Sequence, residues 1–154
     1  MKTNYENLIN KDKLQVFVFK SKANFPFIFA IHPWLVINKK GEISRWEVAY
    51  SKKFKTGENW GYLYKNLFSP FQGLNIFTFI SKPIYNSKLI GMTEGDLAIQ
   101  VIDLIENMPT DYPYANRYNL LGPNSNTFVN YVINKFPDLK FKLPWNAFGK
   151  NYDK

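Results

Sequence analysis

The apolar residues change period near residue 92, and this change restricts the fold more than any other feature of the chain. Up to Met92, short runs rich in Phe, Val, Ile, Tyr and Trp are divided by turn residues. The runs are LQVFVFK (Leu14–Lys20), PFIFAIHPWLVIN (Pro26–Asn38), ISRWEVAY (Ile43–Tyr50), WGYLY (Trp60–Tyr64), NIFTFIS (Asn75–Ser81) and KLIGM (Lys88–Met92), and each predicts a strand. The link Asn38-Lys39-Lys40-Gly41-Glu42 is short and contains glycine, so Pro26–Tyr50 reads as a β-hairpin with His32 in mid-strand. Beyond Met92 the spacing becomes helical. Leu97, Val101, Leu104, Ile105 and Met108 form a stripe, with capping groups at Thr93 to Asp96 and Pro109 closing a helix of about three turns, residues 95–108. Phe128, Val132 and Phe136 form a second stripe over 125–136, started by the turn Gly122-Pro123 and the capping residues Asn124 to Thr127, and ended by Pro137. The expected class is α+β, an antiparallel β-sheet packed against helices.

The chain has 154 residues, of which 45% are hydrophobic and 18% aromatic. This is enough apolar surface for one domain, residues 1–154, with 1–12 and 146–154 as loosely ordered tails and Trp145 and Phe148 packing back onto it. There is no cysteine, which removes disulfides, thiolate metal sites and thiol nucleophiles. The single histidine, His32, removes metal sites built on several imidazoles and makes it the natural carrier of acid–base chemistry near neutral pH. No metal and no cofactor is expected. Glu94, Asp96, Asp103 and Glu106 fit a helix start and a solvated helix face.

The net charge of +8 is dispersed: +6 over residues 1–60, −1 over 61–110 and +3 over 111–154. Only Arg45 and Arg117 are arginine, the residue favoured for bidentate phosphate and base contacts, so no specific nucleic-acid partner is expected. The polar N-terminus shows no signal-peptide pattern, and the apolar run Phe25–Ile37 is too short to span a bilayer. A soluble, cytoplasmic protein follows as the expectation. Oligomeric state is not legible.

Ser125 falls at a helix start, where backbone N–H groups and the positive end of the helix dipole favour an anion. Those groups suit an oxyanion if Ser125 is a nucleophile and His32 its base. The residues alone fit a helix cap and a hydrogen-bonded core histidine better.

A resemblance shifts that balance. YNLLGPNSNTFVNYVI is similar to the Asn-Cys-Asn-x-Phe segment that opens the nucleophile helix of the permuted papain-like superfamily, which includes PPPDE, lecithin retinol acyltransferase-like and NlpC-type proteins. GPNSNTFV, with YPYANRY and IHPWLVI, also resembles a bacterial family of unknown function that already carries Ser at the Cys position. The resemblance implies a permuted papain-like (NlpC-type) architecture, His32 as general base and Ser125 as nucleophile. It also implies a third polar residue on an adjacent strand, for which Glu47 is the choice over a simple pairing of Glu47 with Arg45. Asn124, Asn126, Trp34 and Arg45 are expected around the substrate, a peptide, ester or other small acyl compound. The implied function is a Ser–His hydrolase or acyltransferase. The alternative is an inactive relative that binds a peptide, glycan or lipid headgroup in the same cleft.

Overall fold

The computed structural model describes residues 4–50, 57–75 and 84–152. After a 3-10 turn at Tyr5–Leu8, the chain forms β1 (Leu14–Lys22), β2 (Ile31–Lys39), β3 (Glu42–Val48), β4 (Glu58–Trp60), β5 (Leu63–Lys65) and β6 (Lys88–Glu94). Two helices follow, α1 (Asp96–Asp111) and α2 (Ser125–Lys135). The strands make one antiparallel sheet in the order β4-β5-β3-β2-β1-β6. This is the α+β arrangement expected from the change of period.

Alternation along β1 and β2 divides the core in two. Val16, Val18, Ile31, Leu35 and Ile37 face α1 and α2, whereas Phe17, Phe19, Trp34 and Val36 face the other way. That second face is covered in part by residues 70 and 71, after β5: Trp34 Nε1 donates to Pro70 O at 2.8 Å, and Phe71 meets the edge of Phe19 at 5.4 Å. The β2–β3 hairpin turns at Lys40-Gly41, both with positive φ (54° and 96°), the shape that matches strand twist.

Several elements differ from expectation. The predicted strand Pro26–Asn38 begins only at Ile31. Residues 23–30 close a tight loop through Ala23 N–H to Ala30 O (3.0 Å) and Ala30 N–H to Phe27 O (2.9 Å), so His32 is the second residue of its strand. WGYLY is a hairpin, β4 and β5 about a turn at Gly61-Tyr62, because Gly61 takes φ 63°. The predicted strand at NIFTFIS lies outside the described residues apart from Asn75.

Helix α1 runs through Pro109 to Asp111; in the last turn the missing proline N–H is tolerated, and Tyr112 N–H still reaches Met108 O at 3.0 Å. Thr93 and Glu94 belong to β6, and the cap residue Gly95 provides no side-chain hydrogen bond. The buried stripe is Ala98, Val101, Ile102, Ile105 and Met108, rotated toward Ala98 and Ile102, with Leu97 and Leu104 at its margin.

Both expected tails are anchored where described. Tyr5 packs edge-on against Phe19 at 4.9 Å and donates to Ser87 O at 3.0 Å. The C-terminal segment buries Leu143 and Ala147, while Trp145 is 82% exposed and does not pack back. The buried positions on either side of it are taken by these smaller side chains.

Candidate active site

Two polar clusters meet near the start of β2. The first is built by parity. His32 follows Trp34 and Val36 onto the face away from the helices, and Arg45 and Glu47 project from the neighbouring β3 onto the same face. His32 Nε2 lies 2.7 Å from Glu47 Oε2, which also accepts from Arg45 Nη2 at 2.8 Å. Arg45 Nε and Glu47 Oε1 are 2.6 Å apart but miss hydrogen-bond alignment, so this contact is ionic only. Glu47 therefore serves His32 and Arg45 together, combining two pairings that the sequence presents as alternatives.

The Nη1 donors are also used. Arg45 Nη1 donates to Ser69 O at 3.0 Å and to Gln72 O, and the guanidinium carbon sits 4.0 Å above the centre of the Trp34 ring. Trp34 also stacks on the His32 ring at 6.1 Å between centroids. Trp34 and Arg45, expected as substrate contacts, are completely buried and have no surface to offer a substrate. The loop after β5 roofs them because Arg45 needs acceptors for its N–H groups.

Burial pushes the Glu47 carboxyl up, but the charge of Arg45, with the hydrogen bonds from His32 and Arg45, outweighs it and holds the group below its ordinary range. Burial pulls the Arg45 guanidinium down, and Glu47 opposes this. A depressed carboxyl adds stability that is fully present above its unfolded value, about 4.3, and is lost as pH falls through the lower folded value. Glu47→Gln should therefore remove part of the pH dependence of stability in this acid range. Urea unfolding followed by tryptophan fluorescence between about pH 5 and 2 checks it; an unchanged profile would exclude the carboxylate as a source.

The second cluster is the cap of α2. Asn124 Oδ1 accepts from Asn126 N–H (2.9 Å) and Thr127 N–H (3.3 Å), and Thr127 Oγ1 accepts from Asn124 N–H (3.1 Å), a capping box. The amide NH2 groups point elsewhere. Asn124 Nδ2 donates to Asn119 O, Leu120 O and Phe148 O, and Asn126 Nδ2 to Phe148 O (2.9 Å) and Ile31 O (3.3 Å). Thr127 Oγ1 donates to Gly149 O (2.7 Å), and Asn130 Nδ2 to Lys150 O (2.7 Å). These side chains strap the C-terminal segment across the start of the helix. Gly149 has φ 85°, and a Cβ there would lie 2.6 Å from Asn124 Nδ2, so the strap needs glycine. Asn124 and Asn126, expected beside a substrate, spend their amide donors on this strap, a role that needs the distant C-terminal partner and has no local signal.

Ser125 is the exception. It is 4% exposed, and neither its hydroxyl nor its N–H has a hydrogen-bond partner among the described residues. The capping box occupies the next two N–H groups, so of the expected oxyanion donors only the N–H of Ser125 itself remains. No hydrogen bond joins Ser125 to His32.

The α2 cap reaches β2 through the backbone. Because Ala23, just past β1, turns its N–H to Ala30 O, the next pair, Lys22 and Ile31, is non-bonded, and the Ile31 carbonyl points away from β1. On that side β3 has ended at Val48, and the Asn126 amide takes the vacated position. The first turn of α2 thus docks against the backbone beside His32. Two surface cavities, about 490 Å³ along residues 66–70 and about 390 Å³ around Tyr62, Arg117 and Tyr118, are lined by neither His32 nor Ser125. Among the described residues no cluster of three or more potential ligands suits a metal ion, and no helix is long and apolar enough to cross a membrane.

Fold and site define an α+β protein with a buried His–Glu–Arg cluster and, at the start of a helix, a serine whose hydroxyl has no hydrogen-bond partner among the described residues. The chain belongs to the family described as "Protein of unknown function (DUF3750)", which matches residues 13–152. No curated protein and no solved structure matches it.

Proposed function

We propose that this protein is a Ser–His hydrolase or acyltransferase of permuted papain-like (NlpC-type) architecture, acting on an amide or ester. The observation that carries the reading is the division of labour in Gly-Pro-Asn-Ser-Asn-Thr: Asn124, Thr127 and the Asn126 amide NH2 are committed to cap and strap, while the Ser125 hydroxyl and N–H have no partner among the described residues. Supporting it, Glu47 engages Nε2 of His32, which fixes the ring and leaves Nδ1 as the nitrogen for proton transfer.

In the proposed reaction Nδ1 takes the Ser125 proton as Oγ bonds to the carbonyl carbon. The Ser125 N–H donates to the resulting oxyanion, and His32 returns the proton to the leaving amine or alcohol as the acyl bond breaks. Water or a second acceptor, deprotonated by His32, then releases the acyl group. Glu47 balances the imidazolium.

A second reading, an inert site retained for binding, is favoured by the parity that turns His32 away from the helix layer and by the burial of Ser125, which is 4% exposed. Fluorophosphonate labelling separates the two. The enzyme reading expects labelling that is lost in Ser125→Ala and in His32→Gln; labelling that survives Ser125→Ala, or none with small and large probes alike, supports the inert site.

A further inference from the structure

The surface around the start of α2 is apolar and unusually exposed. Leu121 is 73% exposed, Trp145 82% and Phe29 60%, with Phe27, Ile28 and Leu120 also exposed. They form one patch. Phe27 meets Phe29 edge-on at 6.3 Å and Phe29 meets Phe148 at 5.9 Å; Asn146 Nδ2 donates to Phe29 O, placing Trp145 alongside. The Asn124 amide joins Leu120 O to Phe148 O and so links residues 120–121 to the rest. The backbone beneath is tied by Ala23–Ala30, Phe27–Asn24 and the strap, so the display is built into the fold. Large aromatic and aliphatic groups held in water in this way mark an interaction surface.

Charge identifies the partner. The segments that build the patch, residues 20–31, 117–128 and 139–152, contain Lys20, Lys22, Arg117, Lys140 and Lys142, besides Lys150, whose Nζ donates to Leu143 O and Pro144 O; Asp138 and Asp153 border the last of them. A dispersed +8 over the whole chain is uninformative, but within these three segments every charged residue is a cation. Exposed aromatic side chains on segments that also carry cations match the interface of an anionic bilayer, where Trp and Phe settle at headgroup depth and nearby cations add attraction.

We propose that this face docks on anionic phospholipid membranes, with Phe29, Leu121 and Trp145 inserting and the surrounding Lys and Arg side chains contacting headgroups. The docking does not depend on Ser125 being catalytic.

Flotation with vesicles of phosphatidylcholine, alone or with about 30% phosphatidylglycerol, tests it. Binding is expected to the anionic vesicles, to weaken as ionic strength rises from about 0.1 M to 0.5 M, and to fall about tenfold or more in Phe29→Ala/Leu121→Ala/Trp145→Ala. All three side chains are exposed, so an unchanged melting temperature verifies the fold. Ser125→Ala should bind as the wild type does. No binding at low salt, or binding that the triple variant retains, overturns the proposal. So does a concentration-dependent dimer that the triple variant abolishes in protein that ignores vesicles, because the patch is then a self-association surface.

Discussion

Replacing Arg45 with methionine is expected to cost about 3–5 kcal/mol of folding free energy, because Glu47 then stays in the interior as a carboxylate without its cation. Arg45 and Glu47 are fully buried, and Glu47 Oε2 collects both the Nη2 donor and His32. The substitution also strips Ser69 O and Gln72 O of their donor and so loosens the roof over Trp34. Arg45→Met/Glu47→Leu should recover most of the loss, since exchanging a whole buried ion pair for apolar groups is close to neutral. Urea unfolding of the two variants against wild type measures both. A loss below about 1 kcal/mol for Arg45→Met, the range of an exposed pair, would contradict the cluster as described.

How much of this was legible varies with how local the cause is. The sheet and both helices could be read because period and turn chemistry act over a few residues. His32 and Glu47 are placed on neighbouring strands once the hairpin is known, since alternation then assigns their face. Pro109 misled because a proline stops a helix only where its missing N–H or its ring matters, and the last turn forgives both. The burial of Arg45 and Trp34 depends on the loop after β5, and the task of Asn124 and Asn126 depends on a strap more than twenty residues away in sequence. Neither partner announces itself locally. Trp145 shows the converse: an aromatic residue near a chain end reads as core by composition, yet it stands in solvent within a basic, apolar face.

The central claim is that Ser125 and His32 form one chemical unit, and the absence of cysteine offers a direct test. Ser125→Cys introduces the chain's only thiol, at a helix start and, on the proposed reading, within reach of the imidazole. Ordinary thiols ionise near pH 8.5, whereas a helix N-terminus or a histidine partner lowers this, commonly to between about 3.5 and 7.5. The decisive measurement is the pH dependence of iodoacetamide alkylation of Ser125→Cys, alone and combined with His32→Gln. The expected result is a thiolate formed at least about one pH unit below an ordinary thiol, with the His32→Gln background moving the profile back up. A profile that His32→Gln leaves in place, or one raised above pH 8.5 by burial, would contradict the pair.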